Sequence, residues 1–277
     1  MTSAQFSHSM ALQLEEIEVR AWNDLYAAAP PAVVKRIGVR IHPLGSGCVA
    51  MVPKVDVLGM NRVFGIGLRE PFGQMQLASL IEQYRLAGSP RFFVQVSPYA
   101  MPGDITQWLK DEGFAPYNNW LKLYRSVEDL PPAETDLSIR EISQPGAFGA
   151  IVAASFDWPE EVAPWIGSTV GRLGWRHYMA FEGEKPVATG AYFAGGEYAW
   201  LDLASTLPEA RGRGAQSALL YRRAADAAAQ GCRWLTVETA EETPEKPAPS
   251  YRNMVRAGFR VAYSRPNYLY QLAADET

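Results

Sequence analysis

Residues 208–216 read Pro208-Glu209-Ala210-Arg211-Gly212-Arg213-Gly214-Ala215-Gln216. An apolar run, Tyr198–Ser205, precedes them, and an alanine-rich run, Gly214–Gln230, follows and is stopped by Gly231. That order predicts a strand, a glycine turn and a long helix. Closely spaced glycines let the backbone turn its N–H groups inward with no Cβ in the way. The helix adds unpaired N–H groups and the positive end of its dipole. Arg211 and Arg213 add positive charge. The stretch therefore reads as a main-chain cradle for a pyrophosphate. A P-loop is excluded, because no Lys-Ser/Thr pair follows. So is a Rossmann fingerprint, which needs a third glycine.

Outward from the cradle, the second half alternates strands and helices. Leu137–Ile142 reads as a strand and Gly146–Phe156 as a helix, followed by Trp158, Trp165 and Trp175. His177–Glu182 and Val187–Phe193 read as strands joined at Gly183-Glu184-Lys185-Pro186, a hairpin signal. Arg233–Glu238 is a strand, Ser250–Ala257 a helix ending at Gly258, and Phe259–Tyr263 and Tyr268–Leu272 two last strands. Such an order predicts a mixed α/β (α+β) domain with a sheet covered by helices.

The first half repeats much of this order. Leu12–Ala28 is a helix with Leu14, Ile17, Ala21, Leu25 and Ala28 on one face. Val39–Ile41, Val49–Val52 and Val63–Leu68 read as strands, Gln74–Ala87 as a helix, Arg91–Val96 as a strand, Asp104–Glu112 as a helix and Ala115–Tyr124 as a strand. Gly73 opens a helix as Gly214 does, Arg91 opens a strand as Arg233 does, and Gly113-Phe114 matches Gly258-Phe259. A diverged duplication explains all three. Between the halves, Val127–Asp136 is polar with a double proline. The expected division is residues 1–130, a linker at 131–136, and 137–277. At the place that matches the cradle, the first half has Leu68-Arg69-Glu70-Pro71-Phe72-Gly73-Gln74. One glycine remains, Pro71 removes an N–H and Glu70 repels phosphate.

Composition limits the function. Of 277 residues, 48% are apolar and 20% charged, so a disordered or disulfide-stapled chain is excluded. The net charge of −4 argues against a broad basic face for duplex DNA. Cys48, Cys232, His8, His42 and His177 offer no metal-ligand spacing, so no metal is expected. No stretch has the roughly 20 apolar residues that span a bilayer. The N-terminus lacks a charged region followed by an apolar one. A soluble, cytoplasmic protein without nucleic-acid or membrane partners is expected.

The cradle resembles the acyl-CoA signature R/Q-x-x-G-x-G/A of the GNAT superfamily of N-acyltransferases. Arg211, Gly214 and the strand–loop–helix setting match it, and Pro208 stands three residues before the arginine. Gln216 departs from it, standing where the signature has Gly or Ala. Gly258-Phe259 before a strand matches a landmark near the end of that fold. The likeness covers about residues 134–272. It implies a GNAT fold, here in two tandem copies with a degenerate first copy.

The resemblance also implies chemistry. Acetyl-CoA is the implied cosubstrate, held at its pyrophosphate by main-chain amides of Arg213, Gly214, Ala215 and Gln216, with Arg211 and Gly212 lining the loop. Leu203, Ala204, Ser205 and Thr206 would pair with the pantetheine, and an N–H of Leu203 or Ala204 would polarise the thioester carbonyl. A small amine or amino-acid-like acceptor would attack directly. Consistent with that, the sequence has no GxSxG elbow. Glu238, or else Asp202, would take the proton of the acceptor. Relatives place a Tyr four residues before the late Gly-Phe, but Met254 stands there, so Tyr251 is either a substitute acid or a packing residue. Arg222 and Arg223 would reach a terminal phosphate or serve as exposed helix arginines. Trp158, Trp165 and Trp175 serve equally as an acceptor wall or as core. His177 reads as structural and Cys232 as a core residue. Acidic loop 240–249 reads as solvated. The resemblance admits a homodimer. Its rivals are a non-catalytic acyl-CoA-binding module and acyl transfer to a protein or peptide amine.

Overall fold

A computed structural model describes residues 6–130 and 132–272. The first half begins with α1 (His8–Ala27), capped by the Ser7 hydroxyl, which accepts from the Met10 N–H at 3.2 Å. Its buried face carries Leu14, Ile17, Ala21 and Leu25, as the spacing predicts. A seven-residue helix, α2 (Pro31–Ile37), follows; it is too short to show a period in the sequence. Then come β1 (Arg40–Leu44), β2 (Gly47–Met51), β3 (Arg62–Phe64), α3 (Gln74–Ala87), β4 (Arg91–Gln95), α4 (Ile105–Asp111) and β5 (Ala115–Ser126). The second half has β6 (Ser138–Ile142), α5 (Phe148–Ser155), α6 (Ala163–Gly167), β7 (Trp175–Glu182), β8 (Lys185–Gly195), β9 (Tyr198–Thr206), α7 (Ala215–Ala229), β10 (Trp234–Ala240), α8 (Pro249–Arg256) and β11 (Arg260–Gln271).

Three expected strands differ. The run after Val63 leaves the sheet at Phe64, because Gly65 and Gly67 take positive φ and the Gly67 carbonyl accepts from the Met101 N–H at 2.7 Å. The last two expected strands are one, β11. Pro266 is accommodated within it opposite Asn119.

All eleven strands form one mixed sheet, ordered β1-β2-β3-β4-β11-β5-β10-β9-β8-β7-β6. From α1 to β5 and from α5 to β11 the element order is the same: two helices, three antiparallel strands, a crossover helix, a parallel strand, a helix and a final strand. The final strands are exchanged. β11 lies between β4 and β5, and β5 lies between β11 and β10. The chain must then run from the end of β5 to β6, five strand spacings away. That is about 24 Å, within reach of ten extended residues at about 3.3 Å each.

The sheet coils strongly around α1. This helix touches β1 and β2 on one side and β8 and β9 on the other. With α2, α5 and α6 it covers one face, where Trp22, Phe64, Trp165, Phe193 and Trp200 form the core. On the other face α3 and α4 cover the first half, and α7 and α8 the second.

Candidate active site

The glycine turn forms where the sequence places it. A turn at Pro208–Ala210 ends β9, and Gly212 and Gly214 both take the left-handed conformation, φ +78° and +77°. Space beside Gly212 is open, whereas a Cβ on Gly214 would run into the Glu134 carbonyl. Among the described residues, the amides of Gly212 through Gln216 donate to no acceptor, which leaves them directed at the helix entrance. The Gln216 side chain turns away from that entrance. Its Nε2 donates to the Ser205 carbonyl (2.8 Å), the Thr206 hydroxyl (3.0 Å) and the Thr189 carbonyl (3.1 Å). It thereby ties the first turn of α7 to β8 and β9. Arg211 donates to the Thr206 carbonyl at 3.4 Å, and Arg213 is held by Asp136 and by Glu182 (2.7 Å).

The matching loop of the first half is closed. Its Gly73 amide is taken by the Gln76 side chain at 2.8 Å, the Phe72 amide by the Met101 carbonyl at 2.9 Å, and the Leu68 amide by the Ser46 hydroxyl at 3.2 Å.

β9 and β10 pair only from Tyr198 to Trp200 and from Trp234 to Thr236; beyond that they part. β9 bulges at the fork. Asp202 faces Ala191 and Ser205 faces Thr189, so Leu203 and Ala204 share Gly190. Leu203 has φ +52°, its carbonyl accepts from the Thr189 hydroxyl (2.9 Å), and its own amide donates to the Asp202 carboxylate (2.7 Å). The Leu203 amide is therefore engaged. Leu207 N–H bonds across to the Val187 carbonyl, so by alternation Ala204 and Thr206 direct their main-chain groups at the open edge.

Behind the bulge lies Arg223, not at the surface. It is buried, its guanidinium sits against Gly190, and it donates to the carbonyls of Ala191 (3.1 Å) and Leu219 (3.2 Å). Burial lowers it to about 10. Arg222 is spent on Asp226 at 2.8 Å. The expectation that these arginines reach a phosphate is corrected for Arg223: alternate turns of an alanine-rich helix face the sheet, and position 223 is one of them.

A cleft of ≈ 580 Å³ passes through the fork. On the α7 face it is lined by Gln216, Arg223, Asn253 and Met254; on the α1 face by Asp202, Glu238 and five tryptophans, Trp22, Trp120, Trp158, Trp165 and Trp200. Two of the three tryptophans singled out in the sequence thus reach the cleft. The third, Trp175, is buried and donates to Asp24 at 3.0 Å. Tyr251 is not among the lining residues; it packs with Met254 and Ala257 on the core beneath α7. Helical spacing accounts for this, since Met254 occupies the turn of α8 that meets the cleft.

Glu238 is 12% exposed, at the boundary between the cleft and a buried charge cluster. Its carboxylate accepts from Arg62 at 2.8 Å and from Arg265. Beneath it Glu18 meets Arg62 (3.0 Å), Arg265 (2.7 Å) and Lys122, while Glu15 meets Arg265 (2.8 Å) and the Tyr263 hydroxyl (2.8 Å). Three carboxylates thus balance three cations, as burial requires. Burial pushes the Glu238 carboxyl up to about 7 against the pull of Arg62 and Arg265. Burial also pulls Glu18 upward, but Arg265, Lys122 and Arg62 together hold it well below the usual carboxylate range. Enclosure raises Asp202, opposed by its bonds to the Leu203 amide and the Trp200 indole (3.3 Å).

The sequence reading missed this cluster, although a signal was present. Arg62 and Lys122 stand inside apolar strand runs, and Glu15 and Glu18 fall beside Leu14 and Ile17 on the core face of α1. His177 is structural as expected: it is buried, bonds Thr169 at 2.8 Å, and burial lowers it to about 3. Cys232 is buried in the core. In loop 240–249, Glu241 accepts from Asn119 (2.7 Å) and Glu242 pairs with Arg252 (2.5 Å), while Glu245 is exposed. Among the described residues, no cluster of His, Cys, Asp and Glu has a metal-binding arrangement, and no helix is long and apolar enough to cross a membrane.

Comparison with known proteins agrees with this geometry. Residues 146–246 match the acetyltransferase (GNAT) family. No curated protein matches the chain by sequence. A GCN5-related N-acetyltransferase from Kribbella flavida is 14% identical, with TM-score 0.60, over 99% of this chain and 98% of its own. A tandem GNAT protein from the clavulanic acid biosynthesis pathway is 15% identical, with TM-score 0.61, over 96% of this chain and 95% of its own. A GCN5-related N-acetyltransferase from Sphaerobacter thermophilus is 17% identical, with TM-score 0.56, over 76% and 71%. Residues 146–246 thus carry an acetyltransferase (GNAT) family domain, and the mixed sheet, glycine turn and forked strands of the whole chain share the fold of these tandem and single GNAT structures.

Proposed function

We propose that this protein is a cytoplasmic, acetyl-CoA-dependent N-acetyltransferase acting on a small amine or amino-acid-like acceptor. The supporting observation is that the unpaired amides of Gly212–Gln216 stand at the end of a forked pair of strands whose gap opens into the cleft. Those amides and Arg211 would hold the pyrophosphate, and the edge of β9 at Ala204–Thr206 the pantetheine. Acetyl-CoA supplies an activated thioester: as the acceptor nitrogen forms its bond to the carbonyl carbon, the C–S bond breaks and free thiol and amide result.

The chain's own residues then have distinct tasks. Ala204 N–H, left over at the bulge, stabilises charge on the carbonyl oxygen. Glu238 takes the proton from the attacking nitrogen, and Asp202 orients the amine beside it. A thiol of ordinary pKa near 8.5 leaves as thiolate, so Tyr251 packs and donates no proton. Residues 1–130 act as a degenerate GNAT-like copy without a cradle, joined by 131–136 to the acetyltransferase domain at 137–277. The copy holds Glu238 in place through Arg62.

The test is a thermal melt. Acetyl-CoA at 100 times its Kd stabilises by about 2.7 kcal/mol, a readily visible rise in Tm. Gly212→Asp places a carboxylate in the cradle without a clash and is expected to abolish the rise. An unchanged melt of the wild type at millimolar acetyl-CoA rejects the reading.

A further inference from the structure

The α1 side of the cleft has a particular chemistry. Five indoles from both halves surround it: Trp120 on β5 and Trp158 before α6 are part-exposed, and Trp22 on α1, Trp200 on β9 and Trp165 on α6 are buried behind the surface of the cleft. Arg62 lies over the rings of Trp22 (4.0 Å) and Trp120 (5.0 Å), and Lys122 over Trp200 (4.4 Å), so three of the rings are fixed from behind by buried cations. Phe156, 47% exposed, stacks on Trp158 with centroids 4.9 Å apart and extends the aromatic wall to the mouth. An acetyl group fills little of ≈ 580 Å³, so the remaining walls face the acceptor.

Charge on these walls has one sign. Glu238 and Asp202 reach the cleft, with Glu241 on the loop after β10, while Arg62, Lys122 and Arg265 do not line it. Each of those cations is consumed by Glu15, Glu18 or Glu238. The two cations that do line the cleft are elsewhere: Arg223 is buried behind β9, and Lys246 sits on the exposed loop leading to α8. An acceptor carboxylate next to the reacting amine would therefore face two acids and indole rings with no counter-ion. A flat apolar body would stack on Trp120, Trp158 and Phe156, with the buried indoles backing them.

We infer that the acceptor is a primary amine carried on an aromatic body, with no carboxylate beside the amine. The inference rests on the acetyl-transfer reading and narrows its acceptor. It excludes free amino acids, for which a cation at the floor would be needed. It also disfavours polyamines, whose extra ammonium groups would lie among indoles, since the one further carboxylate of the cleft, Glu241, is already bonded to Asn119. The first half, silent toward CoA, then chooses the substrate, since Trp22 and Trp120 belong to it.

Thiol release from acetyl-CoA is measured with phenethylamine and tryptamine, their amino acids phenylalanine and tryptophan, butylamine, and spermidine. The expected kcat/KM for each aromatic amine exceeds that of its amino acid and of butylamine at least tenfold. Trp158→Ala, and separately the exposed Phe156→Ala, raise KM for tryptamine at least tenfold and leave KM for acetyl-CoA within twofold. Equal or better turnover of the amino acids, butylamine or spermidine overturns the inference. So does a preference for octanoyl-CoA over acetyl-CoA, which would give the chamber to the acyl chain. The acetyl-CoA melt separates the two readings. A rise in Tm without turnover of any aromatic amine defeats the acceptor class alone; no rise defeats both.

Discussion

Arg62 and Glu238 lie 2.8 Å apart although 176 residues separate them in sequence. One belongs to the half without a cradle, the other to the strand that borders the fork. Their bond is possible only because β5 and β11 are exchanged, which brings β3, β5, β10 and β11 around the acidic side of α1.

Arg62→Met leaves Glu18, fully buried, and Glu238, at the edge of the cleft, short of a cation. Breaking a buried pair on one side costs about 3–5 kcal/mol. Urea denaturation is expected to show a loss of that order, while Arg62→Lys recovers part of it. A loss below 1 kcal/mol would mean that the cluster does not hold the halves together.

The pH dependence of turnover follows from Glu238, raised to about 7 by burial. Below that value the carboxyl is protonated and cannot take the acceptor's proton, so kcat/KM rises with pH through about 7. Native Glu238 also binds its proton more tightly than the unfolded chain does, so its own contribution to stability falls as pH rises from the usual Glu range to 7. Glu238→Gln is expected to lower kcat about 10²–10⁴-fold. A profile that is flat between pH 6 and 8 in the wild type would remove Glu238 from the proton path.

His177 makes the fold sensitive to acid. It is lowered to about 3 by burial, from an ordinary value of 6.5. Between those values the unfolded chain binds a proton that the native chain does not. Stability therefore falls with falling pH by up to about 1.4 kcal/mol per unit from this residue. His177→Phe is expected to flatten that slope in denaturant titrations at pH 6.5, 5.5 and 4.5.

The two cradle glycines are expected to respond differently. Gly212→Ala meets open space and bears only the cost of a positive φ, about 1–2 kcal/mol. Gly214→Ala bears that cost and must also displace the Glu134 carbonyl, so its Tm falls further. Equal melting points would show that the linker yields freely at residue 134.

Tyr251→Phe tests the placement of the tyrosine on the core beneath α7. With the hydroxyl away from the cleft, kcat is expected to change less than threefold. A drop of a hundredfold would return Tyr251 to the role of acid.

Local signals were read well from the chain alone. Gln74–Ala87 is a helix at the residues its pattern predicts, because Gly73 and Gly88 bound an amphipathic run. The β7–β8 turn sits at Gly183-Glu184, and the glycine turn at Gly212–Gln216 has its amides free. These features are set by backbone conformation over a few residues, so composition and spacing carry them.

Other features escaped because they depend on partners distant in sequence. Nothing in residues 260–271 says that this strand inserts between β4 and β5, since any apolar strand of its length fits either slot. Arg62, Lys122 and Arg265 look like surface charges out of place until Glu15, Glu18 and Glu238 are brought within 3 Å or so of them. Tyr251 and Met254 compete for one site, and only the packing of α8 decides which of them meets the cleft.

By itself the sequence determined the cradle, the element order and the doubling of that order, because turn chemistry and hydrophobic period act over short range. The tertiary structure alone decided that the halves share one sheet, that Glu238 rests on a neutral cluster of buried charges, and that indoles from both halves gather around its cleft. Those outcomes depend on desolvation and strand pairing between residues of different elements, up to 250 positions apart for Glu15 and Arg265, where local propensity exerts no preference.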